Sequence, residues 1–110
     1  MMDKMGGMLR YGIPQYRLPK EVLDSEIKII EKTGVRFCNN VKLGRDITIE
    51  NLKSVNDAVI LAPGAWKSTP MRVKGEDTQG VYGGIDFLRS VIQGKAVEIG
   101  EKVAVCGGGN

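Results

Sequence analysis

An α/β chain, with a short parallel sheet and flanking helices in three layers, is the fold class that three features predict. "AVILA" at residues 58–62 and "VAVC" at 103–106 are unbroken apolar runs ended by proline or glycine, as in strands covered on both faces. Amphipathic stretches precede such runs, so the helix-to-strand step recurs. The last run pours into Gly107, Gly108 and Gly109, and glycines at the carboxyl end of a parallel strand are where such sheets meet ligands.

Along the chain, "GGMLRYGIPQYRLP" at residues 6–19 holds three glycines and two prolines, which reads as an ordered loop. Over 20–33 the apolar residues Leu23, Ile27 and Ile30 recur at i, i+4 and i+7. Pro19 suits the first turn and Gly34 the stop, so a helix is expected. "VRFCNN" at 35–40 alternates Val35 and Phe37 and closes on Asn39-Asn40, a short strand. "DITIENLKS" at 46–54 offers Asp46 or Thr48 as N-cap and Glu50 in the first turn of a short helix. The strand at 58–62 follows at once. "MRVKGEDTQGVY" at 71–82 reads as a small hairpin or an extended crossing. "GIDFLRSVIQG" at 84–94 places Ile85, Leu88 and Ile92 on one helical face, with Asp86 in the first turn. The strand at 103–106 closes the pattern.

With 110 residues the chain is about one domain long. Hydrophobic residues at 42% and charged residues at 26% lie near globular averages, which argues against disorder and fibrous repeats. The net charge of +3 is scattered rather than striped, so nucleic-acid binding is not expected. No apolar run approaches the roughly eighteen residues of a membrane span, and the start lacks signal-peptide blocks. A cytoplasmic address is expected. The sequence has no histidine, and Cys38 and Cys106 stand far apart. Metal ligation and thiol catalysis therefore have no residue set, and both cysteines read as free, buried thiols.

A dinucleotide fingerprint needs a buried strand, then G-x-G-x-x-G, then a helix whose N-terminal amides hold the pyrophosphate. Gly107 and Gly109 supply the first two glycine positions, and the sequence stops at Asn110, before the third. Taken alone this is a weak signal, open to reading as a flexible end. Gly6-Gly7 permits close backbone approach to a ligand, with Arg10 and Arg17 able to meet phosphate oxygens. The competing reading is a mobile segment with solvated arginines. Gly64 in "LAPG" could set its backbone against a cofactor or end a strand in an ordinary turn. Trp66 reads as a packing residue. Glu76, Asp77, Glu98 and Glu101 read as solvated, and no residue stands out as a catalytic acid, base or nucleophile.

Taken together, "GGMLRYGIPQYRLPKEVLDSEI", "DAVILAPGA", "GVYGGIDFLR" and "KVAVCGGGN", in this order over residues 6–110, resemble the glutamate synthase small (beta) subunit family. Its relatives include the flavin part of dihydropyrimidine dehydrogenase. The resemblance implies a partial Rossmann-like unit, in a truncated piece of a protein that holds FAD in one domain and NADPH in another. It also implies hydride passing from NADPH to FAD and electrons leaving through iron–sulfur clusters. The family's amino-terminal cysteine cluster is missing here, as is the strand–GxGxxG–helix unit for the FAD pyrophosphate. Residues 1–80 are similar to part of the FAD domain. Residues 81–110 are similar to the linker helix and first strand of the NADPH domain.

By position, Gly6, Gly7 and Met8 look like the loop along FAD and Arg17 like an arginine directed at it. Leu43 resembles a main-chain contact to the adenosine end, and Gly64 the glycine closing the FAD-domain strand. Pro63 departs there from the commoner threonine or isoleucine. Gly107, Gly109 and Asn110 resemble the start of the NADPH pyrophosphate loop. The implied partner is the large glutamate synthase subunit or another electron-acceptor protein, and a homodimer of the fragment is also conceivable. The expectation is a fragment of a flavin-dependent NADPH oxidoreductase, inactive and without cofactor in isolation. The alternative is a non-catalytic α/β module serving as a structural or interaction piece.

Overall fold

The computed structural model of the chain describes residues 2–108. It divides into two compact units, Met1–Trp66 and Lys67–Asn110. In the first unit the helices are α1 (Gly7–Tyr11), α2 (Lys20–Glu31) and α3 (Ile49–Ser54). The second carries α4 (Gly84–Ile92).

The helix α2 forms where the i, i+4, i+7 spacing places it. It buries Leu23, half-buries Ile27 and leaves Ile30 exposed, so the stripe meets its neighbour only at the amino-terminal end. Its stop is also as read, with Gly34 at φ 94° donating its N–H to Glu31 O at 3.0 Å. Of the two N-cap candidates for α3, Thr48 caps. Its hydroxyl accepts from the Asn51 N–H at 3.1 Å while the Asn51 side chain accepts from the Thr48 N–H at 3.3 Å, a reciprocal capping box. Asp46 closes the preceding turn instead, accepting from the Lys42 N–H at 2.8 Å and pairing with Arg45. In α4, Ile85, Leu88 and Ile92 are half-buried while Val91 is exposed. Phe87 lies 6.3 Å from the Tyr82 ring, and Asp86 pairs with Arg89 at 2.8 Å.

Residues 6–19 depart from the loop reading, because they contain α1. Five residues are too few to hold a helix by themselves, and here side chains from α2 do so. The Lys20 ammonium donates to the carbonyls of Leu9 at 2.9 Å and Ile13 at 2.6 Å. The first is an acceptor that the end of α1 leaves open, and the second lies just past it.

The parallel sheet expected from residues 35–40, 58–62 and 103–106 is not formed among the described residues. They hold helices, turns and extended chain, with an isolated bridge between Leu43 and Ile47. An extended segment becomes a strand only when a neighbour satisfies its backbone groups in a ladder, and among the described residues these runs form none, the bond from Asn40 N–H to Met2 O at 3.0 Å standing alone. The hairpin option for 71–82 is likewise absent. The segment is extended chain broken by turns, with Thr78 N–H to Gly75 O at 3.1 Å and Val81 N–H to Thr78 O at 3.1 Å. Both cysteines are free but exposed, contrary to the buried reading. The apolar runs that should have covered them are themselves uncovered.

Candidate functional site

The most completely built part of the molecule is where α1 packs on α2. Gly6 enters α1 at φ 114°, and Gly7 follows at φ 49°. A Cβ on Gly6 would stand 2.8 Å from Leu23 Cδ2, so this glycine is needed both for its backbone angle and for close packing. Arg10, only 8% exposed, turns back to donate from Nε to the Met5 carbonyl and from Nη2 to Asp24. Tyr11 is buried and its hydroxyl donates to Asp3 while accepting from the Lys4 N–H at 3.1 Å. These bonds tie the chain before α1 to α1 itself.

The electrostatics follow from that closure. The hydrogen bond from Arg10 holds the Asp24 carboxyl below the usual carboxylate range. The Tyr11 hydroxyl does the same for Asp3. Burial first, and then the Asp3 partner, pushes the Tyr11 hydroxyl up. Burial, with the nearby Arg10 charge, lowers Lys20. Arg10 was one of two arginines able to meet phosphate oxygens, yet its Nε and Nη2 are bonded within the fold, and it is not the solvated side chain of the competing reading either. Composition gave no sign of this, since the partner, Asp24, lies fourteen positions away.

Two of the expected cofactor-contacting stretches meet here. Tyr11 closes the helix that Gly7 and Met8 open, and its ring lies 6.2 Å from that of Trp66, tilted at 52°. Trp66 donates its indole N–H to Pro63 O at 2.8 Å and approaches the site a Cβ of Gly64 would occupy, at 3.4 Å. Trp66 thus packs, as read, and draws the Gly64 turn (φ 74°) toward α1. Gly7 has open space where a Cβ would sit, and Met8 is half-buried.

Arg17 lies in the turn after Pro14, its N–H donating to Pro14 O at 3.1 Å and its side chain exposed. Leu43 sits in the 42–47 turn, closed by backbone bonds such as Gly44 N–H to Ile47 O at 2.8 Å. Gly107, in the other unit, is exposed at φ 102° with open space at its Cβ position. Gly109 and Asn110 lie outside the described residues. Among the described residues no group of three or more Cys, Asp or Glu side chains could hold a metal ion. No helix there is long and apolar enough to cross a membrane.

What the arrangement offers chemically is a left-handed glycine turn with exposed backbone, braced from behind by Arg10, Tyr11 and Trp66. Among the described residues, no acid, base or nucleophile stands beside it in a catalytic geometry.

No protein-family profile matches the chain. It is 49% identical, over 108 residues, to the NADPH-Fe(3+) oxidoreductase subunit beta of Geobacter sulfurreducens, covering 96% of this chain and 16% of that protein. It is 41% identical, over 86 residues, to the glutamate synthase (NADPH) small chain of Bacillus subtilis, covering 78% of this chain and 17% of that one. The NADP(+)-dependent formate dehydrogenase subunit beta of Moorella thermoacetica is 43% identical over 108 residues, covering 96% and 15%. The chain thus spans about a sixth of the length of these curated relatives.

Proposed function

We propose, because this chain belongs as a segment to the family of glutamate synthase small chains and NADPH oxidoreductase beta subunits, that it serves hydride transfer from NADPH to FAD. Electrons would pass onward from there, toward glutamate synthesis. The observation that carries this reading is identity of 41–49% across most of the chain to three proteins whose names specify NADPH or NADP(+). When bound, FAD supplies the redox chemistry; the protein's part is binding and orientation.

The residues present fit such a group. Gly7 and Gly64 are exposed, and Gly7 and Gly107 have room at their Cβ positions for close approach. In this reading Gly7, Met8, Arg17, Leu43 and Gly64 serve FAD, within a partial Rossmann-like unit of residues 1–80. Gly107, Gly109 and Asn110 open the NADPH loop of residues 81–110. The partner is a large glutamate synthase subunit or another electron-acceptor protein, in the cytoplasm. The relatives' names, as small chains and beta subunits, support a multi-subunit setting.

The second reading, a structural module, draws on the absence of a sheet among the described residues. Amide NMR of the chain with excess FAD, then NADPH, separates the two. The oxidoreductase reading expects weak FAD shifts at Gly7, Met8 and Gly64 and NADPH shifts at Gly107, from protein that purifies colourless and does not turn over NADPH with a dye acceptor. Shifts nowhere, or only elsewhere, would leave the module.

A further inference from the structure

Two left-handed glycines in succession open α1, Gly6 at φ 114° and Gly7 at φ 49°. Glycine gives up more conformational freedom on ordering than any other residue, and a helix of five residues does not hold its own first turn. A group outside the turn must set it, and Arg10 bonds to it twice. Its backbone N–H donates to Gly6 O at 3.3 Å, and its guanidinium Nε donates to Met5 O, the carbonyl just before the turn. Nη2 of the same guanidinium donates to Asp24 on α2. A Cβ on Gly6 would stand 3.3 Å from Arg10 Cβ and 3.4 Å from its Nε, so the Arg10 side chain lies directly against the turn. The rigid fork of a guanidinium makes both side-chain bonds at once, whereas a lysine offers a point charge on a flexible stem.

We propose that Arg10 is the positioning residue of the flavin-contacting turn: anchored on Asp24, it fixes the backbone of Met5, Gly6 and Gly7 in the conformation that receives FAD, without touching the cofactor itself. This inference rests on the oxidoreductase reading, in which Gly7 and Met8 serve FAD, and it adds two residues, Arg10 and Asp24, that the reading does not use. Burial argues for the indirect role. Arg10 is 8% exposed, while Gly7 is exposed with open space at its Cβ position, so a ligand can approach Gly7 with Arg10 still covered. The other support of α1 is separate, since Lys20 holds the carbonyls of Leu9 and Ile13, away from the glycines. The Asp24 side chain is 51% exposed, so its replacement removes the anchor without opening the core.

FAD titration of the chain and its variants, followed by the amide resonances of Met8 and Gly64, tests it. Arg10→Lys and Asp24→Ala should each displace the Gly6 and Gly7 amide resonances before FAD is added. Each should weaken FAD binding roughly tenfold, the size of one charged hydrogen bond, beyond any fall in folded fraction read from amide protection across α2. Asp24→Asn keeps an oxygen to accept from Nη2 and should lose only about threefold, because a neutral bond has about half the strength of a charged one. Lys20→Met, which frees the far end of α1, should stay within about twofold once corrected for folded fraction. Should Arg10→Lys not fold, the Asp24 pair decides, since alanine suits a helix better than aspartate. Unmoved glycine resonances, a loss that tracks the unfolded fraction alone, an equal loss in Lys20→Met, or Asp24→Asn as weak as Asp24→Ala would each overturn this inference and leave the oxidoreductase reading standing. No FAD shift in the unchanged chain would overturn both.

Discussion

The α1–α2 region and the apolar run at 58–62 meet the same demand, burial of apolar groups without stranding polar ones, with opposite results. Around α1, Leu23 and Tyr11 are 6% and 5% exposed, and Arg10 is buried with its Nε and Nη2 paired. At 58–62 the residues are as apolar, yet Ile60 and Leu61 are 90% and 59% exposed. The difference lies in where the partners come from. A helix pairs its backbone within itself and needs a neighbour for one stripe only. A strand buried on both faces needs neighbours at its edges and over both surfaces.

The widest test of that contrast swaps size on the two sides. Leu23→Ala should cost about 2 kcal/mol, as a buried leucine deletion does, read as lost amide protection in α1 and α2. Ile60→Ser should change the same protection by less than about 0.5 kcal/mol. Equal losses would erase the distinction. A smaller effect is expected at the capping box. Thr48→Ala should cost roughly 1 kcal/mol of α3 stability, seen as faster exchange of the Asn51 amide, with α2 unaffected.

The smallest effect is that of acid. Asp24 and Asp3 titrate below their ordinary range in the folded state, held by Arg10 and by the Tyr11 hydroxyl. Their contribution is therefore present above the unfolded carboxylate pKa of about 4 and is lost as pH falls through the lowered values. Amide protection in α1 should drop below about pH 4. Tyr11 works in the opposite sense. Its raised pKa adds stability that is present below about pH 10 and is lost as pH rises further.

Among the elements, α2, α3 and α4 were legible because spacing, caps and glycine stops are local signals. The site was legible only as a list. Glycines at 6, 7 and 64 could be marked for their backbone freedom, but nothing local showed that Tyr11 and Trp66 draw the two turns together. Nor did it show that Arg10 is spent on Asp24 and Met5. The short helix α1 was hidden for the same reason, since glycine and proline around it spoke for a loop while Lys20 capped its carbonyls from the next helix.

The sequence by itself pointed to the family resemblance, placed the three longer helices and marked the glycine stop of α2. The tertiary structure decided that Arg10 turns inward onto Met5 and Asp24 and whether the apolar runs become strands. The physical reason is the range of the interactions. Helix hydrogen bonds span four residues and are written in the local sequence. A buried arginine, a ring contact or a strand ladder depends on groups distant in the chain, or on those of another chain.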